Sequence, residues 1–330
     1  MSGLIALADI EEAQRTLRGR IRETPMEASA SLSELSGVPV HLKLEHHQVS
    51  GSFKFRGASN AIQSLSEAER AAGVVGVSTG NHGRGLARAA ALAGVRCIVV
   101  MSELVPQNKV EAIRGEGAEV LISGRSQDEA QGEVDRLVAE GMTLVPPFDH
   151  AKIIAGQGTL GLEILEGLPE VATVVVQVSG GGLISGIAAA LKAKRPDIRV
   201  VGVSMTRGAA MHASLAAGKP VEVEEEPTLA DSLGGGIGLE NRYTFAMVRG
   251  LVDEVVLLDE AEIAAGIRHC YWQERQIVEG SGATAVAALL AGKVTLQGPA
   301  VLLLSGGNID MKLHHRVVSG EDVDVKRDAA

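Results

Sequence analysis

Aromatic residues are scarce in this chain of 330 residues: four phenylalanines, two tyrosines and one tryptophan make up 2% of it. The hydrophobic share is nevertheless 45%, so alanine, valine, leucine and isoleucine must fill the interior. A chain of this length can hold two domains of ordinary size, each with a core of its own. We therefore expect a globular protein with aliphatic cores.

A surplus of basic residues is also missing. The chain has 31 lysines and arginines against 41 acidic residues, and its formal net charge is −10. Nucleic acids and anionic membrane surfaces both attract basic patches, so this charge balance argues against either as a partner. No apolar run reaches the roughly 20 residues that a helix needs to span a bilayer. We predict no nucleic-acid partner and no membrane partner.

Cysteines and targeting signals are few as well. The two cysteines, Cys97 and Cys270, fall on an apolar run and on a helical pattern. This placement predicts buried thiols in a reducing compartment rather than a disulfide framework. The opening residues 1–8 lack the basic stretch with which a secretory signal begins. The protein is therefore predicted to be cytoplasmic.

Short apolar runs alternate with helical patterns along most of the chain. This alternation is typical of parallel sheets with flanking helices, so the sequence predicts an α/β fold. The alternation over residues 73–146 is regular and closes at a pair of prolines, which indicates a small inserted domain. The predicted strands are 40–44, 74–77, 97–101, 118–122, 143–145, 173–178, 199–203 and 300–304.

One lysine, Lys54, stands between two of the four phenylalanines, Phe53 and Phe55. Taken alone, such a lysine is most often a surface side chain whose stem lies on apolar neighbours. A buried lysine with a lowered pKa can instead form a Schiff base with an aldehyde. The second interpretation is favoured by three turns that follow apolar runs and contain glycines. They are Ser78-Thr79-Gly80-Asn81-His82-Gly83, Ser179-Gly180-Gly181-Gly182-Leu183 and Ser305-Gly306-Gly307-Asn308.

The turn that begins at Ser179 opens a helical pattern, and such a turn offers backbone N–H groups to a phosphate. It is not the dinucleotide fingerprint, which needs glycines at its first, third and sixth positions. Counted from Gly180, the sixth position is Ser185. A tight strand-to-helix turn without a ligand remains the alternative. A lysine, a phosphate cradle and hydroxyl donors together suggest pyridoxal phosphate as the cofactor.

With these motifs in this order, the chain resembles the fold-type II pyridoxal-phosphate enzymes, in the threonine/serine dehydratase and serine racemase family. The resemblance runs from about residue 10 to about residue 318. It implies a fold like that of the tryptophan synthase β chain, with two open, twisted, mostly parallel sheets and flanking helices. It also implies a large cofactor-binding domain made of residues 1–72 and 147–330, the small domain 73–146, and a homodimer or higher homo-oligomer.

The resemblance implies a role for each motif. Lys54 would hold the cofactor and serve as the catalytic base. The turn at Ser179, where the family usually has another glycine, would bind the phosphate. Asn81, which could also be a simple helix cap, would bind the 3′-oxygen. The implied cofactor contacts are Phe53, Lys54, Asn81, Ser179, Gly180, Gly181, Gly182, Leu183 and Ser305. The implied substrate contacts are Ser78, Thr79, Gly80 and His82, with His82 expected to be a packed histidine rather than a general base.

Ser305 bears on the type of reaction, because the resemblance places it at the pyridine nitrogen. A hydroxyl cannot stabilise a pyridinium as a carboxylate would, which favours loss of a β-substituent over transamination. We therefore predict a dehydratase (ammonia-lyase) that converts a small 3-hydroxy amino acid, threonine- or serine-like, to a 2-oxo acid and ammonia. One alternative is a racemase, which needs a second base opposite Lys54, where Thr79 stands. The other is a non-catalytic ligand-binding relative.

The amino-acid sequence from Ser78 to Arg84 and from Leu104 to Lys109 is most similar to that of the hydroxyectoine-utilisation dehydratases. We therefore expect threonine to be a poorer substrate than a longer or more polar 3-hydroxy amino acid. The candidates are a ring-opened 3-hydroxy-2,4-diaminobutyrate and 3-hydroxyaspartate. Arg84 and Arg207 either face the cleft, where they would favour a second carboxylate, or are solvated residues at helix ends.

A metal is not predicted. Ser204 stands where many relatives carry a glutamate that helps to hold a cation, and no acidic residue follows nearby. Hard cations prefer carboxylate and carbonyl oxygens. The adjacent pairs His46-His47 and His314-His315 are expected to be surface residues, and the charged tail 319–330 is expected to fray.

Overall fold

The computed structural model describes residues 4–78, 80–103, 105, 107–124 and 127–328. Its strands form two sheets, one of six strands and one of four. The strands are β1 Met26–Ala28, β2 Val40–Leu44, β3 Val74–Val77, β4 Cys97–Met101, β5 Glu119–Ile122, β6 Thr143–Leu144, β7 Thr173–Gln177, β8 Arg199–Met205, β9 Glu254–Leu258 and β10 Ala300–Leu304. Parallel pairing dominates both sheets, as the α/β pattern predicts.

The larger sheet has the strand order β1-β2-β10-β7-β8-β9. β1 is antiparallel to β2, and all other neighbours are parallel. β10 lies between β2 and β7, with Leu302 paired to Leu42 on one side and to Val175 on the other. The first and last parts of the chain therefore share one sheet.

The smaller sheet has the order β5-β4-β3-β6, and all of its strands are parallel. It is built entirely from residues between 74 and 144. Its strands are apolar and buried at the centre, because helices cover both faces of a parallel sheet. The proposed boundaries of the small domain, 73–146, enclose this sheet.

Helices cover the sheets and connect most of the parallel strands. The helices are α1 Leu7–Leu17, α2 Ala30–Ser36, α3 Lys54–Gln63, α4 Glu67–Ala72, α5 Asn81–Ala93, α6 Gln107–Gly115, α7 Gln127–Ala139, α8 Ala151–Gly167, α9 Gly182–Lys194, α10 Ala210–Ala217, α11 Thr244–Leu251, α12 Glu260–Trp272, α13 Gly280–Leu290, α14 Met311–Val318 and α15 Val325–Asp328. In the part of the chain described, no helix is both long and apolar enough to cross a bilayer.

Two sequence-based expectations about surface residues are wrong. His46 and His314 are buried, at 9% and 2% exposure, because consecutive side chains point in different directions and one of each pair enters the interior. The tail does not fray over its whole length. It forms the short α15, Val323 is buried, and Lys326 pairs with Glu226 at 2.8 Å.

Candidate active site

A cavity of about 550 Å³ lies where the carboxyl ends of β3, β7 and β10 face one another. Ligand sites in open parallel sheets are found at such strand ends. Every predicted site residue that the structure describes lines this cavity, which we call the Lys54 cavity. These residues are Phe53, Lys54, Ser78, Gly80, Asn81, His82, Ser179, Gly180, Gly181, Gly182, Leu183 and Ser305. Thr79 lies outside the described residues.

Lys54 is the first residue of α3, and its amine is held inside the cavity. Nζ donates a hydrogen bond to the Pro147 carbonyl at 2.8 Å and lies 5.3 Å from the centre of the Phe53 ring. Burial lowers the pKa of Lys54 to about 8. About a tenth of the amine is therefore neutral at pH 7, and the neutral amine is the form that acts as nucleophile and base.

A buried ion network anchors the turn of helix that follows Lys54. Arg56 is fully buried, and its guanidinium makes two hydrogen bonds of 2.8 Å to the Glu45 carboxylate. It also pairs with Glu163, which accepts a further hydrogen bond from Lys43 at 2.6 Å. Burial alone would raise the pKa of Glu45, but the Arg56 charge and hydrogen bonds lower it. Two carboxylates thus hold α3, and with it Lys54, in place.

The glycine turn at the end of β7 forms a cradle without side chains. Gly181 precedes α9 with a φ of +86°, and a Cβ at that position would lie 2.8 Å from Met211 Cε. A Cβ on Gly180 would lie 2.3 Å from the Phe148 ring. Glycine is required here for both conformation and space. The N–H groups at the start of the 13-residue α9 suit a phosphate.

Asn81 belongs to a hydrogen-bonded group that the sequence did not predict. Its Nδ2 donates to Glu279 Oε1 at 2.6 Å, and its Oδ1 accepts from Asn308 Nδ2 at 2.6 Å. The Asn308 backbone N–H donates to the other oxygen of Glu279 at 3.2 Å. Burial, followed by the nearby Asp231 charge, raises the pKa of Glu279 to about 8. This glutamate is therefore largely neutral at pH 7.

Glu279 is the main site residue that sequence reasoning missed. It directly precedes α13 in the stretch Glu279-Gly280-Ser281-Gly282. This is a further glycine-containing turn that opens a helix, and treating it like the other three would have identified it.

Unpaired polar atoms border the cavity at the ends of β7 and β10. Gln177 Nε2 donates to the carbonyls of Leu303 at 2.8 Å and Gly282 at 3.2 Å, but its buried Oε1 has no partner. Ser281 Oγ is also buried without a partner. Such atoms are rare unless a ligand or water satisfies them. Gln177 was missed as well, although a glutamine directly after a run of three valines was a usable signal.

His82 and Ser78 sit beside the start of α5. His82 Nε2 donates to the Val145 carbonyl at 2.8 Å. Burial and the Lys54 charge lower the pKa of His82 to about 3, so the ring is neutral. Ser78 Oγ accepts a hydrogen bond of 3.4 Å from the Gly80 N–H.

The two candidate arginines do not line the Lys54 cavity. Arg84 and Arg207 border an adjacent cavity of about 610 Å³, which we call the Arg84 cavity. Arg84 donates to Asn308 Oδ1 at 3.1 Å, and Arg207 donates to the Pro227 carbonyl at 2.7 Å. Both arginines therefore lie outside the Lys54 cavity, in a cavity that shares Lys109, Asp231 and Glu279 with it.

Ser204 is buried at the end of β8, where its hydroxyl contacts the Met205 sulfur at 3.5 Å. Among the described residues, no three histidine, cysteine or carboxylate side chains are grouped closely enough to hold a metal ion. The absence of a metal stays a prediction.

The residues present fit pyridoxal phosphate. A buried lysine amine of low pKa suits its aldehyde, and the side-chain-free turn before α9 suits its phosphate. The contact of Asn81 with its 3′-oxygen stays a prediction. The unpaired Gln177 and Ser281 atoms leave hydrogen-bonding capacity for a ligand in the same cavity.

Comparison with known proteins agrees with this geometry. Residues 17–306 match the family model described as pyridoxal-phosphate dependent enzyme. A Sinorhizobium fredii protein named "Putative threonine dehydratase" is 58% identical, over 96% of both chains. An L-threonine ammonia-lyase of Thermotoga maritima is 43% identical, over 96% of this chain and 79% of its own.

A similar solved structure is that of maize serine racemase, with a TM-score of 0.89 and 34% identity over 96% of this chain and 97% of that one. The chain therefore belongs to the family of pyridoxal-phosphate-dependent enzymes, within its threonine dehydratase and serine racemase branch.

Proposed function

We propose that this protein is a pyridoxal-phosphate-dependent dehydratase that removes the β-hydroxyl of a 3-hydroxy amino acid and releases a 2-oxo acid and ammonia. The observation that carries the proposal is Lys54, an amine of low pKa that faces a cavity built from three glycine-containing turns. The relatives at 43% and 58% identity are named for threonine dehydration or for ammonia release from threonine.

When bound, pyridoxal phosphate supplies an electron sink that makes the Cα proton of an amino acid labile. Lys54 would take that proton, because its amine is buried beside the cavity and its pKa of about 8 is close to working pH. Ser78 and the N–H groups at the start of α5 would hold the substrate carboxylate. Ser305 offers a neutral hydroxyl to the pyridine nitrogen at the end of β10. A neutral partner there favours loss of the β-hydroxyl over transamination.

The reaction balances without an external oxidant or reductant. The Cα proton and the Cβ hydroxyl leave together as water. The enamine product takes a proton at Cβ to become an imine, and one water molecule then hydrolyses the imine to a 2-oxo acid and ammonia.

The test is a measurement of ammonia and 2-oxo acid release from serine, threonine and longer 3-hydroxy amino acids. Lys54→Ala should lose at least about 100-fold in kcat/KM, since general-base transfer alone contributes 100- to 10,000-fold. Lys109→Ala, which removes the other lysine of the cavity wall, is the matched control and should retain turnover. Ammonia release by Lys54→Ala at the wild-type rate would exclude our assignment.

Racemisation is the second candidate, and the structural similarity to maize serine racemase favours it. A racemase needs an acid or base on the substrate face opposite Lys54. Chiral analysis of serine during turnover distinguishes the two reactions, since a dehydratase consumes one enantiomer and a racemase accumulates the other. A non-catalytic relative would show no visible absorption from lysine-bound cofactor.

We further propose that threonine is not the preferred substrate and that a longer or more polar 3-hydroxy amino acid reacts faster. Gly234, Gly235 and Gly236 support this proposal, because they form a cavity wall without side chains.

We also propose that the protein is cytoplasmic and that it assembles as a homodimer or a higher homo-oligomer. Sedimentation of the purified enzyme tests the oligomeric state.

A further inference from the structure

Gln177 is a buried polar residue at the end of a strand that otherwise consists of β-branched residues. It follows three valines in β7, it is 3% exposed, and it lines the Lys54 cavity. The turn that begins at Ser179 starts two residues later. An apolar side chain would suit this interior better, because burial of a polar group costs free energy unless its hydrogen bonds are made. The glutamine therefore has a function here that an apolar residue could not perform.

The amide of Gln177 is held in one orientation by two backbone carbonyls. Nε2 donates to the Leu303 carbonyl at 2.8 Å and to the Gly282 carbonyl at 3.2 Å. An amide nitrogen has two hydrogens, so both donors are used. The reverse orientation would place Oε1 against two acceptors. In the observed orientation Oε1 is buried without a partner among the described residues, so the side chain makes two donor contacts while its acceptor stays unused.

The two carbonyls belong to different segments of the site. Leu303 lies on β10, two residues before Ser305. Gly282 lies in the first turn of α13, three residues after Glu279. Because Gln177 itself lies on β7, its side chain joins the ends of two strands and the start of a helix.

The end of β10 is bonded in turn to the segment that carries the lysine. The Ser305 carbonyl accepts a hydrogen bond of 3.0 Å from the N–H of Phe53, which directly precedes Lys54. A displacement of the end of β10 relative to β7 would therefore move both the lysine and the predicted partner of the pyridine nitrogen away from the phosphate turn. The contacts of Gln177 oppose that displacement.

We propose that Gln177 is a positioning residue for pyridoxal phosphate. Its two donor contacts fix the end of β10 and the start of α13 relative to the strand that leads into the phosphate turn. The groups around the cavity are then in place before the cofactor binds, which lowers the cost of ordering them on binding. The inference rests on the proposed function for the occupant of the cavity, and it concerns cofactor binding rather than the choice of substrate.

The test measures cofactor binding without turnover. Cofactor-free wild type, Gln177→Met and Gln177→Glu are titrated with pyridoxal phosphate, and the dissociation constants are read from the visible absorption of the lysine-bound cofactor. Methionine offers no donor, and the glutamate side chain keeps the length of glutamine but loses at least one of its two donors. The melting temperature of each cofactor-free protein is measured alongside.

The matched control is Thr173→Val. Thr173 is a fully buried polar residue at the other end of β7 and lines neither cavity. It lies about 13 Å from Gln177 along the strand, at 3.3 Å per residue. The control therefore removes a buried polar group from the same strand without touching the carbonyls that Gln177 contacts.

Gln177→Met should weaken cofactor binding about 5-fold or more, the size of one net hydrogen bond. The absorption maximum of the bound cofactor should also shift, because hydrogen bonds to the ring tune its electronics. Gln177→Glu should weaken binding too. Thr173→Val should keep the wild-type dissociation constant and absorption maximum, even if its melting temperature falls.

Wild-type affinity and absorption in Gln177→Met would overturn the inference, and so would an equal loss of affinity in Thr173→Val. Failure of both Gln177 variants to fold would assign the residue to stability alone and would overturn it as well. Because no substrate is used, all of these results leave the dehydratase intact. A wild type that binds the cofactor but releases no ammonia from any 3-hydroxy amino acid would instead overturn the proposed function.

Discussion

Replacement of Glu279 by glutamine gives a quantitative prediction. Glu279 is buried, its ordinary pKa is 4.5, and burial together with Asp231 raises that pKa to about 8 in the folded protein. Between these two values the folded chain holds one proton that the unfolded chain has lost. The stability provided by the neutral carboxyl is therefore complete below pH 4.5 and disappears as the pH rises through 8.

Glutamine resembles the protonated carboxyl and does not titrate. The free energy of unfolding of the wild type should therefore fall relative to Glu279→Gln by about 1.4 kcal/mol for each pH unit in this window. Between pH 6 and pH 7 this corresponds to a change of roughly 2 °C in the difference between the two melting temperatures.

Calorimetry of the cofactor-free proteins at pH 6, 6.5 and 7 measures this difference. Glu240→Gln, at an exposed position, is the control for loss of one negative charge. A difference in melting temperature between wild type and Glu279→Gln that does not change with pH would refute the protonated state of Glu279.

Three further predictions follow from the site. Arg56→Met should destabilise the protein by about 3–5 kcal/mol in denaturant unfolding, because it leaves the buried Glu45 carboxylate without its ion-pair partner and Glu163 with Lys43 alone; a loss below 1 kcal/mol would contradict this. Gly181→Ala should cost about 1–2 kcal/mol and weaken pyridoxal phosphate binding, since φ is +86° and a Cβ would contact Met211; unchanged affinity in titration would speak against the phosphate cradle. A chelator should leave activity and melting temperature unchanged. Loss of activity on chelation, restored by magnesium or calcium, would contradict the prediction that the enzyme needs no metal.

The sequence was sufficient to predict the central strands, Lys54 and the three glycine-containing turns that line the cavity. β3, β7 and β10 are apolar runs that end in glycine-containing turns, β4 is an apolar run that follows Gly94, and this signal is local. β1 could not be found in the same way. Its three residues, Met-Glu-Ala, carry no strand pattern, and they are a strand only because they pair antiparallel to β2.

The positions of charged side chains relative to the cavity were the hardest feature to predict from the sequence. Arg84 lies three residues beyond Asn81, and its neighbours in sequence left two alternatives open, a side chain that faces the cleft or a solvated one at a helix end. The direction of its side chain is set by α5, which turns it toward Asn308 and the adjacent cavity. Glu279 joins the Lys54 cavity only through the tertiary fold, so its sequence signal was the glycine-containing turn that it begins and not its spacing from Lys54.

Identification of the lysine that carries the cofactor tests the central claim most directly. The holoenzyme is reduced with borohydride and digested, and the peptide that retains the pyridoxyl group is sequenced by mass spectrometry. The account predicts a single modified residue, Lys54, because its amine is the buried one of low pKa in the cavity. Modification of Lys109, the other lysine of the cavity wall, or a protein that retains no pyridoxyl group, would contradict it.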